Sequence, residues 1–228
     1  MVQLYSVCLG RSAMPYRRTE NVARRLAARR VSIIEAALAA ASEGGMAAVQ
    51  IAPVARRAGI AAGTVYRYFP GKAELVAALF AEISDRETQA LRQAADAAPG
   101  PLSALAAFVM TFAGRALHNQ PLAYAATGES IESELEAVRG VFCQQLAATL
   151  SARIATAVAG GHLPQQDAAL AAAAVLGLLV KSLIGPLAPG ASGRERDIVQ
   201  SLALMALRAL SVPDARARGV VISGVRSQ

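Results

Sequence analysis

The chain has 228 residues, 54 % of them hydrophobic and 17 % charged. That length gives one or two domains with a core that needs no disulfide or metal, and that composition excludes a disordered chain. Alanine dominates, Trp is absent and aromatic residues make up only 4 %, which favours helices, excludes a sandwich or barrel and sets the expected fold class as all-α.

Cys8 and Cys143 are too few and too far apart in sequence for a disulfide framework or a zinc site. A reducing, cytoplasmic compartment is expected. The mean hydropathy of +0.38 raises the question of a membrane. The longest uncharged apolar run, Ala168–Val180, has 13 residues, short of the roughly 20 that span a bilayer. The opening MVQLYSVCLG lacks the basic segment and long apolar stretch of a signal peptide.

The net charge of +7 is uneven. Residues 1–72 carry eleven Arg or Lys against three Glu, whereas residues 73–228 carry twelve against thirteen acidic residues. Seven arginines fall within 11–30: Arg11, Arg17, Arg18, Arg24, Arg25, Arg29 and Arg30. A basic block beside a near-neutral body points to a polyanion, nucleic acid first and a membrane surface second. A solvated basic helix face is the plain alternative.

In chain order, residues 1–16 read as an irregular arm, and Met14 begins a stretch that reads well as a protein start. Residues 17–43 read as one helix, with Val22, Leu26, Ile33, Ala37 and Ala41 at helical spacing and Gly44-Gly45 as a left-handed cap. Short helices are expected at 51–58, with Pro53 in the first turn, and at 61–69, stopped by Pro70-Gly71. A longer helix follows over about 72–96, and Pro99-Gly100-Pro101 marks a junction. Further helices are expected at about 102–118, 121–126, 129–160, 166–185 and 195–211, and the stretch 213–228 reads as a loose tail.

Function is concentrated in QIAPVARRAGIAAGTVYRYFPGKAEL, residues 50–75. Two short helices around a Gly-containing turn are the layout of a helix-turn-helix. Val54, Ala55, Val65 and Phe69 face inward, and Gly59 supplies the positive φ such a turn needs. Outward remain Ala61, Ala62, Gly63, Thr64, Tyr66, Arg67 and Tyr68, a face that suits a major groove. The Thr64 methyl can meet a thymine, Arg67 a guanine edge or a phosphate, and the tyrosine hydroxyls phosphates. Lys72 can hold one more phosphate. The alternative for both tyrosines is packing within the small domain, whereas Arg56 and Arg57 read as solvated surface, with phosphate contact as their alternative.

Here the sequence resembles the TetR family of bacterial transcriptional regulators. The resemblance rests on Val54-Ala55, Ala58-Gly59, Gly63-Thr64-Val65-Tyr66, Tyr68-Phe69, Lys72 and Leu75, with Ile33, Ala36-Ala37 and Gly44 upstream. It covers roughly residues 27–87. It implies a helix-turn-helix domain over 17–71, a connecting helix over 72–98 and a helical effector-binding and dimerisation domain over 99–212. Gln50 and Ala61 stand where the family usually carries a small hydroxyl that caps a helix. Backbone N–H groups near Ala61–Gly63 are therefore expected to meet phosphate unaided, with sequence read by Thr64, Tyr66, Arg67 and an arm carrying Arg17 and Arg18.

The resemblance further implies a homodimer and a small-molecule effector. The apolar stretch 166–185 with 195–210 is the expected interface, through Leu170, Ala174, Leu178, Lys181, Ile198, Leu202 and Met205; an intrachain core helix is the alternative. Phe80, Phe108, Met110, Phe112, Tyr124, Phe142 and Leu176 are candidates to line an effector pocket. His118, with Asn119, Thr127 and Glu129, could orient the ligand. For each, ordinary core is the competing reading.

No catalytic set assembles. His118 and His162 lie far apart, Gly128-Glu129-Ser130-Ile131-Glu132 lacks the second glycine of a nucleophile elbow, and Pro70-Gly71-Lys72 lacks the glycine spacing of a Walker loop. Glu129, Glu132, Glu134 and Glu136 read as an exposed helix face rather than a metal site, having no histidine partners. The expectation is no enzyme, no cofactor and no metal. The chain is expected to be a DNA-binding regulator, a repressor released from a pseudo-palindromic operator by a mainly apolar effector. A regulator without an effector and a peripheral helical protein on anionic lipid are the alternatives.

Overall fold

The structure, a computed structural model, describes residues 16–127, 133–187 and 194–225. The described residues form ten α-helices, one short 3-10 turn and no strand. Helix α1, Tyr16–Gly44, buries Ile33, Ile34, Ala36, Ala37, Ala40 and Ala41. Burial stops there: Val22 and Leu26, expected to continue the same core stripe, are 52 % and 47 % exposed because no other described element reaches them. Gly45 closes α1 at φ +68°, its N–H bonded to Ala41 O at 2.9 Å, and a 3-10 turn at Met46–Ala48 follows.

Helix α2, Ile51–Arg57, carries Pro53 in its first turn, where the lost N–H has no helical partner to miss. It ends in a Schellman turn: Ile60 N–H reaches Ala55 O at 3.0 Å and Gly59 N–H reaches Arg56 O at 3.2 Å, with Gly59 at φ +66°. Helix α3, Ala62–Tyr66, is shorter than the expected 61–69; its end tightens through Tyr68 and Phe69 N–H, both bonded to Val65 O at 2.9 Å. Val54, Ala55, Val65 and Phe69 are buried together against α1.

Helix α4, Lys72–Asp96, is a long strut. Leu75, Val76, Leu79, Phe80, Ile83 and Leu91 all join one continuous hydrophobic core, and Ala95 is buried near the end of the helix. Helix α5, Pro101–His118, starts on a proline whose φ suits a first turn and is buried by α4, α7 and α9. Helix α6, Gln120–Thr127, packs on α1. Helices α7, Ser133–Ala159, and α8, Ala168–Leu183, pack together, and Asp167 caps α8 by accepting the N–H groups of Ala169 and Leu170 at 2.9 and 3.1 Å. Helix α9, Glu195–Ala209, lies against α5 and α8.

The expected loose tail is corrected. Asp214–Val225 forms helix α10, which packs on α5 and α9 and buries Ala217 and Val221. Its basic composition concealed a narrow apolar seam; Asp214 ties it to α9 by accepting Arg208 Nε at 2.7 Å and accepts Arg218 Nε of its own helix at 2.7 Å. No helix of the described residues is long and apolar enough to cross a membrane.

Candidate nucleic-acid interface and effector cavity

The α2–α3 pair presents its outer face without competition from other elements. Tyr66 is 53 % exposed, and Gln50, Ala61, Gly63 and Arg67 are exposed beside it. Thr64 and Lys72 are half-buried. Arg67 has no ion-pair partner among the described residues. Ala61, in extended conformation, precedes α3 with no side-chain cap, so the first N–H groups of α3 have no side-chain acceptor. Gln50 does not cap α2 either; its Nε2 donates to Ala47 O at 3.2 Å.

Two expected contacts, and one arginine beside them, take a more engaged position. Tyr68 and Ala62 are half-buried and pack on the core, so packing accounts for much of both surfaces. Arg57 donates from Nη1 to Glu43 Oε1 at 2.8 Å and binds α2 to the end of α1, while Arg56 stays exposed. Arg17 and Arg18 lie in the first turns of α1, but their side chains fall outside the described residues.

A partly open cavity of about 300 Å³ lies between α4, α5, α6, α7 and α8. Ile83, Phe112, Leu122, Ala126, Phe142, Val180 and Leu183 give it apolar walls. Its polar groups are Glu87, Arg115, His118, Asn119 and Thr127. Of the expected lining, Phe112, His118, Thr127 and Phe142 are on the wall. Phe80, Phe108 and Leu176 are not; they are ordinary core. Met110 is also buried and lies near Gly224 of α10, and Tyr124 packs on the core beside the cavity. Glu129 and the elbow-like stretch 128–132 lie outside the described residues, as does Cys8.

The sequence did not disclose the ion pair on the cavity wall. Arg115 grips Glu87 with Nε at 3.0 and 3.1 Å from the two carboxylate oxygens and Nη2 at 2.7 Å from one of them. That hydrogen bonding raises the Arg115 pKa against its partial burial, so the guanidinium stays charged. The nearest signal was two charged residues on otherwise apolar helix faces, and nothing in the spacing pairs positions on separate helices. Thr127 Oγ1 donates to Ala123 O at 2.7 Å, leaving its lone pairs for a ligand.

The expected interface residues divide. On α8, Leu170 is 68 % exposed, Ala174 and Lys181 are exposed, and Leu178 is half-buried. On α9, Met205 is 40 % exposed and Ile198 half-buried, but Leu202 is buried within its own chain and is corrected to core. Helix α8 is apolar all round, yet it buries only Ala172, Val175, Leu176, Leu179 and Leu183. Among the described residues, no three or more His, Cys, Asp or Glu come together. Glu136 pairs with Arg139, and Glu132 and the Glu134 side chain lie outside the description. Burial pushes the Cys143 thiol up, with Arg139 partly opposing it.

A helix-turn-helix set beside a helical body with a cavity is the arrangement of the described residues. Residues 33–79 match the family model described as "Bacterial regulatory proteins, tetR family". The matched residues run from the buried half of α1 through α2 and α3 to Leu79 of α4. It is 40 % identical over 94 residues to the HTH-type transcriptional repressor KstR of Mycolicibacterium smegmatis, covering 41 % of this chain and 46 % of that one. To the repressor of the same name from Mycobacterium tuberculosis it is 40 % identical over 118 residues, covering 48 % and 53 %. The chain thus spans about half the length of the curated relatives it matches. The fold is similar to that of RolR solved in complex with resorcinol, at TM-score 0.68 and 22 % identity, covering 87 % of this chain and 95 % of that one.

Proposed function

We propose that this protein is a sequence-specific transcriptional repressor that leaves its operator when a small, mainly apolar molecule fills the cavity between α4 and α8. The observation that carries the reading is the α2–α3 face, where Tyr66, Arg67 and the uncapped start of α3 stand exposed on a rigid, buried base. Thr64, Tyr66 and Arg67 read base edges, while Gln50, Ala61–Gly63, Tyr68 and Lys72 approach phosphates. Matched relatives carry the name repressor, and a protein of like fold was solved with a small aromatic ligand.

Two copies pair through the exposed side of α8, from Leu170 through Ala174 to Lys181, and through Met205 and Ile198 of α9. Leu170 in water is unfavourable, and a two-fold partner removes it. The paired reading heads then engage half-sites about one helical turn apart, roughly 34–36 Å, or a multiple of it. An effector acts by favouring a spacing of the heads that no longer matches, and its power equals its differential affinity for the two states.

The test is selection of fragmented genomic DNA by the purified protein at physiological salt, which suppresses purely electrostatic binding. Enrichment of one pseudo-palindrome supports the reading, and its neighbouring genes suggest the effector's chemistry. Retention on anionic vesicles without any enriched sequence sinks it in favour of a peripheral lipid-binding role.

A further inference from the structure

Among the described residues, nothing packs on the outer half of α1. Residues 20–31 are exposed throughout, and burial begins only at Ile33. From Tyr16 to Val31 the helix projects about 24 Å at 1.5 Å per residue. Its apolar stripe nevertheless continues outward: Val22, Leu26 and Ile33 are spaced i, i+4 and i+11, with only Ile33 covered. Arg25 and Arg29 flank that stripe, and Arg24 sits on another face. None of the three forms an ion pair among the described residues. An isolated helix of this length is marginal in water, and half-exposed Val and Leu do not help it.

The root of the projection locates it. The Arg30 guanidinium lies 5.2 Å from the centre of the Phe69 ring, and Phe69 follows Arg67 by two residues. The projecting helix therefore leaves the domain beside the end of the reading helix. Between 20 and 31 it carries four arginines against Glu20 alone.

We propose that the projecting half of α1 is a second DNA-contacting element, laid along the backbone outside the half-site, with Arg25 and Arg29 on flanking phosphates and Val22 and Leu26 against the sugars. This rests on the DNA-binding reading above and adds to it a contact that carries affinity without sequence. Charge complementarity selects the occupant: a second copy would set arginines against arginines, and two large apolar residues make too narrow a face for a membrane helix.

The experiment compares the full chain with R25A/R29A and R24A. One duplex ends at the half-site boundaries; another extends about seven base pairs beyond each end, the reach of the helix at 3.4 Å per pair. The wild type is expected to bind the longer duplex at least tenfold tighter. Its plot of log K against log salt is expected to steepen by about two to four, at about 0.9 per phosphate. R25A/R29A loses that gain while keeping its affinity for the short duplex, and R24A keeps the gain. Equal gain in R25A/R29A overturns the proposal. So does a defect of R25A/R29A confined to phosphatidylserine vesicles, or one confined to self-association in sedimentation. A wild type that binds the short duplex specifically but gains nothing from the flanks overturns this inference and leaves the parent reading standing. A wild type with no preferred duplex overturns both.

Discussion

Asn119 Nδ2 donates to Ser42 Oγ at 3.0 Å, so a residue on the cavity wall holds a residue of α1. Its Oδ1 also accepts the Leu122 N–H at 3.4 Å, fixing the start of α6, which packs on α1. A ligand that claims the Asn119 amide therefore competes with a bond to α1. We expect S42A and N119A to be coupled in a double-mutant cycle of unfolding free energy by about 1 kcal/mol. Additive effects would show that the bond contributes nothing.

Tyr66 and Arg67 stand outside the core, so truncating them leaves the fold intact. Each alanine variant should weaken specific binding by about 1–3 kcal/mol with an unchanged circular dichroism spectrum. Unaltered operator affinity in both would remove α3 from the reading role.

Leu170 sits near the start of the exposed side of α8. Leu170→Glu places a charge where the proposed two-fold contact excludes water, so it should shift micromolar protein from dimer to monomer in sedimentation. Binding to a two-half-site operator should fall with it. A wild type already monomeric at that concentration counts against the α8–α9 interface.

Ser211 adopts φ +65° in the turn after α9, where its N–H meets Arg208 O at 2.8 Å and Val212 N–H meets Leu207 O at 3.0 Å. This is the Schellman turn that Gly59 makes after α2, built on a residue with a Cβ. Ser211→Gly should raise stability by about 0.5–1 kcal/mol, the strain relieved less the extra freedom of glycine in the unfolded chain. A lower melting temperature would show that the Ser211 side chain matters more than its backbone.

Hydrogen bonds from Arg218 and then Arg208 hold the Asp214 carboxylate below its ordinary value of 3.8. Because the folded value is the lower one, this stabilisation is present above the unfolded pKa and is lost as pH falls through the folded one. Docking of α10 should therefore persist through neutral pH and weaken only below about pH 4. Asp214→Asn should weaken it already at pH 7, read as faster amide exchange over 214–225. Equal exchange in both proteins at pH 7 would leave α10 held by Ala217 and Val221 alone.

The sequence by itself determined the helix-turn-helix and the helices before it and through α9, though not α10, because these depend on neighbours in the chain. Gly45 and Gly59 mark turns that need positive φ, Pro53 marks a first turn, Pro99-Gly100-Pro101 marks a break, and Val54, Ala55, Val65 and Phe69 fall on inward faces of their helices. Only the tertiary structure decided which apolar residues meet space and which meet each other. Phe80, Phe108 and Phe112 are alike in sequence, yet only Phe112 faces the cavity. Val22 and Ile33 share a stripe, yet only Ile33 is covered. Glu87 with Arg115, and Ser42 with Asn119, join helices that periodicity treats separately. Helical spacing assigns a face to each residue; what that face meets depends on how the other helices cross it, and that geometry belongs to the assembled chain.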